Sequence, residues 1–278
     1  MINVKFHCNY CSDFEIYNKV LTMTKNNLGV WKNIKVVLED YDIFVIMNYP
    51  LHNNYKPQNT IVFESETPTT RNNFPKFYDY NKSEYLYVYD TKNNHNVDLW
   101  YHGLKYDELF YENLYNKSNQ FSIINSNLNN LPGHILRNKF INYLTDKIEF
   151  DLYGRSYQNN KNYKGSLNKK CDGLNSYKYT FNCENDFENN YFTEKILDGI
   201  FCECLTFYYG CPNIKDFIDD RCFVQLDLND FEYSLKMIKD FIKYDLFKDR
   251  LIYIREEKQR IVNDLNVLNI INNILEKV

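Results

Sequence analysis

The chain reads Tyr177-Lys178-Tyr179-Thr180-Phe181-Asn182-Cys183-Glu184 and continues Asn185-Asp186-Phe187-Glu188-Asn189-Asn190-Tyr191-Phe192-Thr193-Glu194-Lys195. The first segment alternates apolar and polar residues and predicts a β-strand over residues 178–183. Apolar residues then recur at helical spacing at positions 196, 197, 200 and 201, so Thr193-Glu194-Lys195 stands where a helix begins. A strand followed by a polar junction and a helix is typical of an α/β domain.

The start of this predicted helix carries side chains suited to an anionic ligand. Thr193 is a candidate N-cap, and the backbone N–H groups at a helix N-terminus favour a bound anion. The Lys195 cation suits a diphosphate, and the Glu194 carboxylate suits a sugar hydroxyl. This combination indicates a nucleotide-sugar site.

Three segments of this region, taken in order, resemble a known signature. They are Tyr-Lys-Tyr-Thr-Phe-Asn-Cys-Glu-Asn at 177–185, Tyr-Phe-Thr-Glu-Lys-Ile-Leu-Asp-Gly at 191–199 and Tyr-Tyr-Gly-Cys-Pro-Asn-Ile-Lys-Asp-Phe-Ile at 208–218. Together they resemble the α1,3/α1,4-fucosyltransferase family, glycosyltransferase family 10, with the strongest similarity over residues 134–231. The resemblance implies inverting transfer of fucose from GDP-fucose to a hydroxyl of an acceptor glycan, in an α1,3-type linkage.

Composition limits the classes of partner. The formal net charge is −4 and the pI is about 5.8, so the chain lacks the basic character of a nucleic-acid-binding protein. Hydrophobic residues make up 44% and charged residues 25%, which is typical of a soluble globular protein. The N-terminal sequence contains no apolar stretch of signal-peptide or anchor length, so we expect a cytoplasmic protein without a membrane span. The sequence leaves the oligomeric state open.

The eight cysteines are expected to be reduced thiols, because most fall inside predicted core elements. Cys8 and Cys11 form a lone Cys-x-x-Cys without a second pair or paired histidines. A tetrahedral zinc site needs four ligands, so this pair does not predict one.

The first half of the chain predicts an α/β domain of short buried strands, at residues 3–8, 34–38, 43–48 and 60–63, with an intervening helix at 20–28. The apolar run at 43–47 suits a parallel strand covered on both faces. Residues 91–130 give no clear elements. Pro132-Gly133 punctuates the chain, and we place the end of an acceptor-side domain at residue 132.

The second half alternates more regularly between strands and helices. Helices are predicted at 134–147, 193–203, 231–243, 249–264 and 266–276, and strands at 149–153, 178–183, 205–209 and 224–226. This pattern predicts a parallel sheet with helices on both faces in a donor domain over residues 133–262. The C-terminal helix, within 263–278, is expected to pack back on the first domain. The expected fold is α/β and GT-B-like, with two Rossmann-like domains facing across a cleft.

The general base is sought in the segment Glu64-Ser65-Glu66-Thr67-Pro68, which follows a predicted strand. Inverting sugar transfer needs a base that deprotonates the acceptor hydroxyl. Glu66-Thr67-Pro68 resembles the family's Glu-Ser-Pro element, whose glutamate is the proposed base, with Thr in place of Ser. Because Glu64 stands two residues earlier, both carboxylates remain candidates.

The leaving diphosphate needs cations or hydrogen-bond donors, and Arg137 and Lys195 are the leading candidates. Arg137-Asn138 resembles an Arg-Asn pair that precedes the family's donor domain. The resemblance implies that Glu194 accepts hydrogen bonds from the ribose. The other candidate nucleotide contacts are Asn185, Tyr191, Arg155 and Lys164.

This scheme requires no cofactor or metal beyond the GDP-fucose donor. Asp40-Tyr41-Asp42 has the letters of a metal-binding Asp-x-Asp motif, but it precedes its strand and so lies at the wrong end. The five histidines contain no pair at ligand spacing.

Two alternatives stay open. A transferase on the same scaffold could use another nucleotide sugar, because no residue of the 185–195 segment reads guanine or a 6-deoxy sugar by itself. A catalytically silent glycan- or nucleotide-binding module could also retain the scaffold. The acceptor is expected to be set by the irregular segment 70–130.

Overall fold

Two six-stranded sheets, one mixed and one parallel, organise the chain in the computed structural model. The structure describes residues 1–50, 54–92, 94–100, 102–110, 116–157 and 159–278. The first compact unit comprises Met1–Leu99, Leu104–Phe110 and Arg260–Val278, and the second comprises Trp100–Gly103 and Tyr111–Gln259.

The first unit contains a six-stranded sheet. Its strands are β1 (Ile2–Cys8), β2 (Val30–Trp31), β3 (Ile34–Val36), β4 (Ile43–Met47), β5 (Thr60–Phe63) and β6 (Tyr87–Tyr89), in the spatial order β2-β3-β1-β4-β5-β6. Every neighbouring pair is parallel except β2 with β3. All four residues of β5 are buried, as expected for a strand with both faces covered.

The helices of this unit begin with α1 (Asp13–Leu21), α2 (Pro68–Asn73) and α3 (Tyr106–Leu109). The predicted helix at 20–28 is therefore wrong. The helix starts earlier because Ser12 and Glu15 form a capping box, in which the Ser12 side chain accepts from the Glu15 backbone and Glu15 accepts from the Ser12 backbone. It ends at Leu21, where Thr22 is the C-cap.

The second unit contains another six-stranded sheet, parallel throughout. Its strands are β7 (Asn119–Ser126), β8 (Asp151–Arg155), β9 (Tyr163–Gly165), β10 (Tyr177–Cys183), β11 (Leu205–Tyr209) and β12 (Phe223–Gln225), in the order β12-β11-β10-β7-β8-β9. The helices are α4 (Pro132–Leu144), α5 (Glu194–Phe201), α6 (Phe231–Lys243) and most of α7 (Phe247–Asp264), whose residues from Arg260 onward belong to the first unit. Two Rossmann-like parallel-sheet units confirm the predicted α/β class.

The expected boundary at residue 132 differs from the structure. Strand β7 lies between β10 and β8 in the second sheet, so the second unit already includes residues before Pro132. The polar residues around β7 obscure it in the sequence, although Phe121 and Ile123 are buried. The expected end at 262 also differs slightly, because the chain returns to the first unit at Arg260.

The last helix, α8 (Val267–Leu275), belongs to the first unit. Its N-cap residue Asn266 donates from Nδ2 to the Met23 carbonyl over 2.9 Å, and the Asn266 side chain accepts from the Leu268 backbone. Ile271 and Ile274 on α8 are buried. Within the described part of the chain, no helix is long and apolar enough to cross a membrane.

All eight cysteines are free thiols, and seven of them are buried. The sulfur atoms of Cys8 and Cys11 lie 3.1 Å apart. Among the described residues, no group of three or more His, Cys, Asp or Glu side chains is placed to hold a metal ion.

Candidate active site

A pocket of about 430 Å³ opens in the second unit where the carboxyl ends of its central strands meet. Parallel α/β sheets bind ligands at this edge. Its polar lining includes Asn125 and Ser126 at the end of β7, Arg155 at the end of β8, Arg137 on α4, Lys170 at the start of a short 3₁₀ helix (Lys170–Gly173), and Glu194, Lys195 and Asp198 on α5. Apolar side chains such as Ile123, Leu167, Leu174 and Phe181 complete the wall.

Arg137 enters the pocket because α4 starts very close to the end of β10. A Cβ atom on Gly133 would lie 1.8 Å from the Glu184 carbonyl oxygen, so only glycine allows this approach. Arg137 is 5% exposed and donates from Nη1 to Asn185 Oδ1 over 2.9 Å and to the Cys183 carbonyl over 3.2 Å. Its Nε has no hydrogen-bond partner among the described residues, so the guanidinium retains a donor for a ligand.

Lys195 is held beside the N-terminus of α5 by a buried carboxylate. Its Nζ lies 3.3 Å from Glu184 Oε2 and 2.8 Å from Thr193 Oγ1. Glu184 is fully buried and also accepts from the Thr193 backbone N–H and hydroxyl, at 2.9 Å and 2.7 Å. The Thr193 side chain accepts from the Lys195 backbone, which confirms the predicted N-cap. The network fixes both a cation and a helix N-terminus at the pocket.

Glu194 and Asp198 lie one turn apart on α5 and share Lys170. Lys170 Nζ is 3.0 Å from Glu194 Oε1 and 2.6 Å from Asp198 Oδ2. Burial favours the neutral form of Glu194, but the charges of Lys170 and Lys195 outweigh it and lower the Glu194 pKa. Glu194 is therefore an ionised hydrogen-bond acceptor at neutral pH.

The pKa of Asp198 is shifted in the opposite direction to that of Glu194. Burial raises the pKa of Asp198 to about 6, against the opposing charge of Lys170. Asp198 Oδ1 has no hydrogen-bond partner among the described residues. Asp198 is therefore the member of this group that gains a proton as the pH falls below neutrality.

His134, on α4, lies near the cations Arg137 and Lys195. Burial and, as smaller causes, the nearby charges of Arg137 and Lys195 lower the pKa of His134 to about 4. The imidazole is thus neutral at pH 7, and its Nδ1 lies 2.6 Å from Asn130 Oδ1. A positive potential beside a helix N-terminus favours a phosphate-bearing ligand.

The remaining candidate nucleotide-contacting residues differ in whether they line the pocket. Arg155 is exposed and lines the pocket. Lys164 lies outside the lining and its Nζ is 3.3 Å from Asp151 Oδ1. Asn185 is also outside the lining but orients Arg137, and Tyr191 is a core residue that is 2% exposed.

In the first unit, Glu64 follows β5 and is enclosed by partners. It is 4% exposed and lies 3.0 Å from Arg71 Nη1 and 2.8 Å from both Lys82 Nζ and the Tyr80 hydroxyl. A buried carboxylate that is in contact with two cations and a phenol has little access to an acceptor. These contacts give Glu64 a structural role.

Glu66 is less enclosed than Glu64. It is half-buried and immediately precedes Thr67, the N-cap of α2. Its Oε1 accepts from Asn48 Nδ2 over 3.4 Å. Asn48 follows β4, the strand that pairs with β5, so Glu66 and Asn48 lie at the carboxyl edge of the first sheet.

Comparison with known proteins decides the family. Residues 114–255, just over half of the chain, match the sequence profile of "Glycosyltransferase family 10 (fucosyltransferase) C-term". The chain belongs to glycosyltransferase family 10.

Individual relatives agree with this assignment. The family 10 chain is 31% identical to the alpha-(1,3)-fucosyltransferase FucT of Helicobacter pylori over 114 residues, which are 41% of this chain and 22% of that protein. The match thus spans about a fifth of the relative's length.

Solved structures show the same fold at low identity. An α1,3-fucosyltransferase crystallised with GDP-fucose has a TM-score of 0.58 and 17% identity, with 99% of this chain and 90% of that chain covered. An α-glucosyltransferase crystallised with UDP and DNA has a TM-score of 0.51 and 11% identity, with 78% of this chain and 74% of that chain covered. These similarities concern the fold, and they confirm the GT-B class.

Three charged residues of this family 10 chain that line the pocket or contact its side chains escaped the sequence analysis. Lys170 begins a short 3₁₀ helix, 24 residues before its partner Glu194, and has no local motif. Asp198 reads as one more polar position of an amphipathic helix. Glu184 offered a signal, since a carboxylate directly after a buried strand and nine residues before Thr193 can reach the following helix N-terminus.

Proposed function

We propose that this chain is an inverting fucosyltransferase that transfers fucose from GDP-fucose to a hydroxyl of an acceptor glycan in an α1,3-type linkage. The observation that carries the proposal is the group of Arg137, Lys195 and Glu194 in the pocket at the carboxyl edge of the second sheet. Its chemistry matches the parts of a nucleotide sugar in order, with cations for the diphosphate and an ionised acceptor for ribose hydroxyls.

The reaction breaks the bond between fucose C1 and the diphosphate. Negative charge develops on the leaving phosphate, and the fixed cations Arg137 and Lys195 with the N-terminus of α5 stabilise it without reorganising. Because Arg137 Nε is buried and unpaired within the described chain, a phosphate oxygen would satisfy a donor that is otherwise costly to bury.

On the acceptor side, the proposed general base is Glu66. It takes the proton of the acceptor hydroxyl while that oxygen bonds to C1, and GDP departs from the opposite face, which inverts C1. Glu66 is the better candidate of the two carboxylates, since Glu64 is committed to Arg71 and Lys82. The base acts without a metal or other cofactor in this scheme.

Support for GDP-fucose as the donor comes from the family and from the GDP-fucose complex of a protein of similar fold. A donor screen by thermal unfolding tests it, because a ligand that binds only the folded state raises Tm by mass action. We expect GDP and GDP-fucose to raise Tm and UDP to leave it unchanged. If UDP raises Tm and GDP does not, the donor is a UDP-sugar and not GDP-fucose. If neither nucleotide raises Tm, a module without a nucleotide site is favoured.

A further inference from the structure

Cys8 and Cys11 bring two thiols into contact at the carboxyl end of β1. Cys8 is the last residue of β1 and is 2% exposed, and Cys11 lies three residues later and is half-buried. Their sulfur atoms are 3.1 Å apart. A disulfide joins two sulfurs at about 2.05 Å, so the sulfurs need to approach by about 1 Å to form one. We call Cys8 and Cys11 the thiol pair.

The connection that carries the thiol pair is anchored at both ends. On one side, Cys8 pairs with Met47 of β4 in the sheet. On the other side, Cys11 directly precedes Ser12, which forms the capping box of α1 with Glu15. Two groups held close together by a folded backbone react with each other far more readily than with a group in solution. The fold therefore favours a bond between the two sulfurs over a lasting mixed disulfide with an external thiol.

The chemistry of the thiol pair suits a disulfide better than a metal ion. Structural zinc takes four ligands, and within the described ranges no cluster of three or more His, Cys, Asp or Glu side chains is placed to hold a metal. Burial is the largest of the causes that raise the pKa of Cys11 to about 12. A dithiol whose reduced form is not stabilised as a thiolate forms a more stable disulfide than one with a low thiol pKa. Because the thiolate is the nucleophile, closure is expected to accelerate as the pH rises.

The same connection contacts the carboxylate proposed as the base. Asn9, which lies between the two cysteines, accepts at Oδ1 from Asn48 Nδ2 over 3.1 Å. The Asn48 Nδ2 group also donates to Glu66 Oε1 over 3.4 Å. Asn48 is 3% exposed, and its Oδ1 accepts from the Tyr78 hydroxyl over 2.6 Å. Because the Asn48 amide is fixed in this way, a displacement of Asn9 changes the hydrogen bond that Asn48 donates to Glu66.

We propose that Cys8 and Cys11 are a redox site that closes reversibly to a disulfide, and that closure lowers fucosyl transfer by displacing Asn9. The oxidant is a small or protein disulfide, such as oxidised glutathione. One cysteine thiolate attacks the external disulfide and expels a thiolate, and the second cysteine thiolate attacks the mixed disulfide and expels the other. The two cysteine sulfurs are oxidised, the external disulfide is reduced, and the two cysteine protons pass to the released thiols. The effect on transfer rests on the proposed function, whereas the disulfide does not.

Tryptic mapping tests the disulfide directly. Cleavage after Lys5 and Lys19 gives the peptide 6–19, which contains Cys8 and Cys11 and no other cysteine. The folded native chain is equilibrated with oxidised and reduced glutathione at neutral and alkaline pH, free thiols are alkylated, and the peptide is weighed by mass spectrometry. We expect a peptide that is lighter by two hydrogen atoms and carries no alkyl group. Dithiothreitol should restore two alkylatable thiols.

A single substitution provides the control for the disulfide. Cys11→Ser, at the half-buried position, should transfer fucose like the reduced native chain and should not respond to oxidised glutathione. Two free thiols in the native peptide after equilibration at alkaline pH, or a glutathione adduct that never closes, would overturn the redox site.

Transfer by the reduced and oxidised chains tests the consequence of closure. We expect closure to lower transfer roughly three- to tenfold, the effect of weakening a hydrogen bond to the base. The Tm increase caused by GDP should stay the same, because the donor pocket lies in the second unit. Asn9→Ala, which removes the contact with Asn48, should form the disulfide like the native chain and transfer equally in both states.

Two results would overturn the link between the thiol pair and transfer. One is unchanged transfer after complete closure of the native chain, and the other is a response to closure that persists in Asn9→Ala. If the reduced native chain transfers no fucose, the proposed function fails instead, and the mass of peptide 6–19 still decides the disulfide.

Discussion

Lys170 Nζ lies 3.0 Å from Glu194 Oε1 and joins the short 3₁₀ helix Lys170–Gly173 to the first turn of α5. The same ammonium also contacts Asp198 Oδ2, and this second contact fixes the position of Lys170. The Glu194 carboxylate is therefore held in one orientation, and Lys170 balances its negative charge. Pre-oriented acceptors bind a ligand with less entropic cost than mobile ones. Lys170 is thus expected to act on nucleotide binding through Glu194.

Replacing Lys170 by methionine should weaken GDP binding roughly tenfold, because Glu194 loses its orientation and its main counter-charge. The control is Lys169→Met, which removes the same charge from the neighbouring exposed position. Isothermal titration with GDP measures the difference. If Lys170→Met and Lys169→Met bind GDP with equal affinity, Lys170 does not contribute to nucleotide binding.

Lys195→Met should reduce turnover roughly 10²–10³-fold, as expected when one transition-state donor is lost. It should also lower Tm. A lysine in the first turn of a helix is commonly exposed and contributes little to stability, but Lys195 pairs with the fully buried Glu184. Removing one partner of a buried pair costs about 3–5 kcal/mol.

The matched control for Lys195→Met is Lys164→Met. Lys164 lies outside the pocket, and its ion pair with Asp151 is partly exposed to solvent. It should keep native turnover. Rates must be compared below the melting range of each variant. Native turnover by folded Lys195→Met would remove Lys195 from leaving-group stabilisation.

Glu66→Gln should reduce fucosyl transfer at least 10²-fold while GDP affinity stays unchanged, because a general base acts on the acceptor and not on the nucleotide. The acidic limb of the pH–rate profile, which reports the base, should disappear from any residual activity. Glutamine preserves the Asn48 contact, so the fold should be retained.

Glu64→Gln is the control for Glu66 and should behave in the opposite way. It breaks buried ion pairs with Arg71 and Lys82 and should lower Tm, while the folded fraction retains transfer. If Glu64→Gln abolishes transfer in folded protein, the base is displaced by two residues. If both variants transfer normally, the first unit supplies no carboxylate base.

Asp198 predicts a pH dependence of stability. Its folded pKa of about 6 exceeds the usual value of 3.8, so the folded state holds this proton more tightly than the unfolded state. The resulting stabilisation is complete below about pH 4 and is lost as the pH rises through 6. The free energy of unfolding of the native chain should therefore fall relative to Asp198→Asn between pH 4 and 7, by at most on the order of 3 kcal/mol.

Urea titrations at several pH values measure this trend. Asp172→Asn, at an exposed position, is the control and should show no such trend relative to the native chain. A constant difference between the native chain and Asp198→Asn across this range would contradict the assignment of the raised pKa.

The parts of the site that the sequence predicted are those set by local order along the chain. Strand β10, the Thr193 cap and α5 follow from alternation, a capping residue and helical spacing, all within 25 residues. Strand β7 was not recognisable because its pairing with β10 is non-local and its flanks are polar. Lys170 and Glu184 gain their roles only through folding, which brings a short 3₁₀ helix and a strand end to the same helix terminus.

The central claim is that the pocket of Arg137, Glu194 and Lys195 supports the departure of GDP from GDP-fucose without a metal. The most direct measurement is chromatographic quantification of nucleoside diphosphate released from GDP-fucose, UDP-glucose and UDP-galactose in excess EDTA with a methyl glycoside acceptor. We predict GDP release from GDP-fucose by the native chain, a loss of roughly 10²-fold or more with Lys195→Met, and no UDP release. Release of UDP alone, or complete loss of GDP release in EDTA that added Mg²⁺ or Mn²⁺ restores, would contradict the claim.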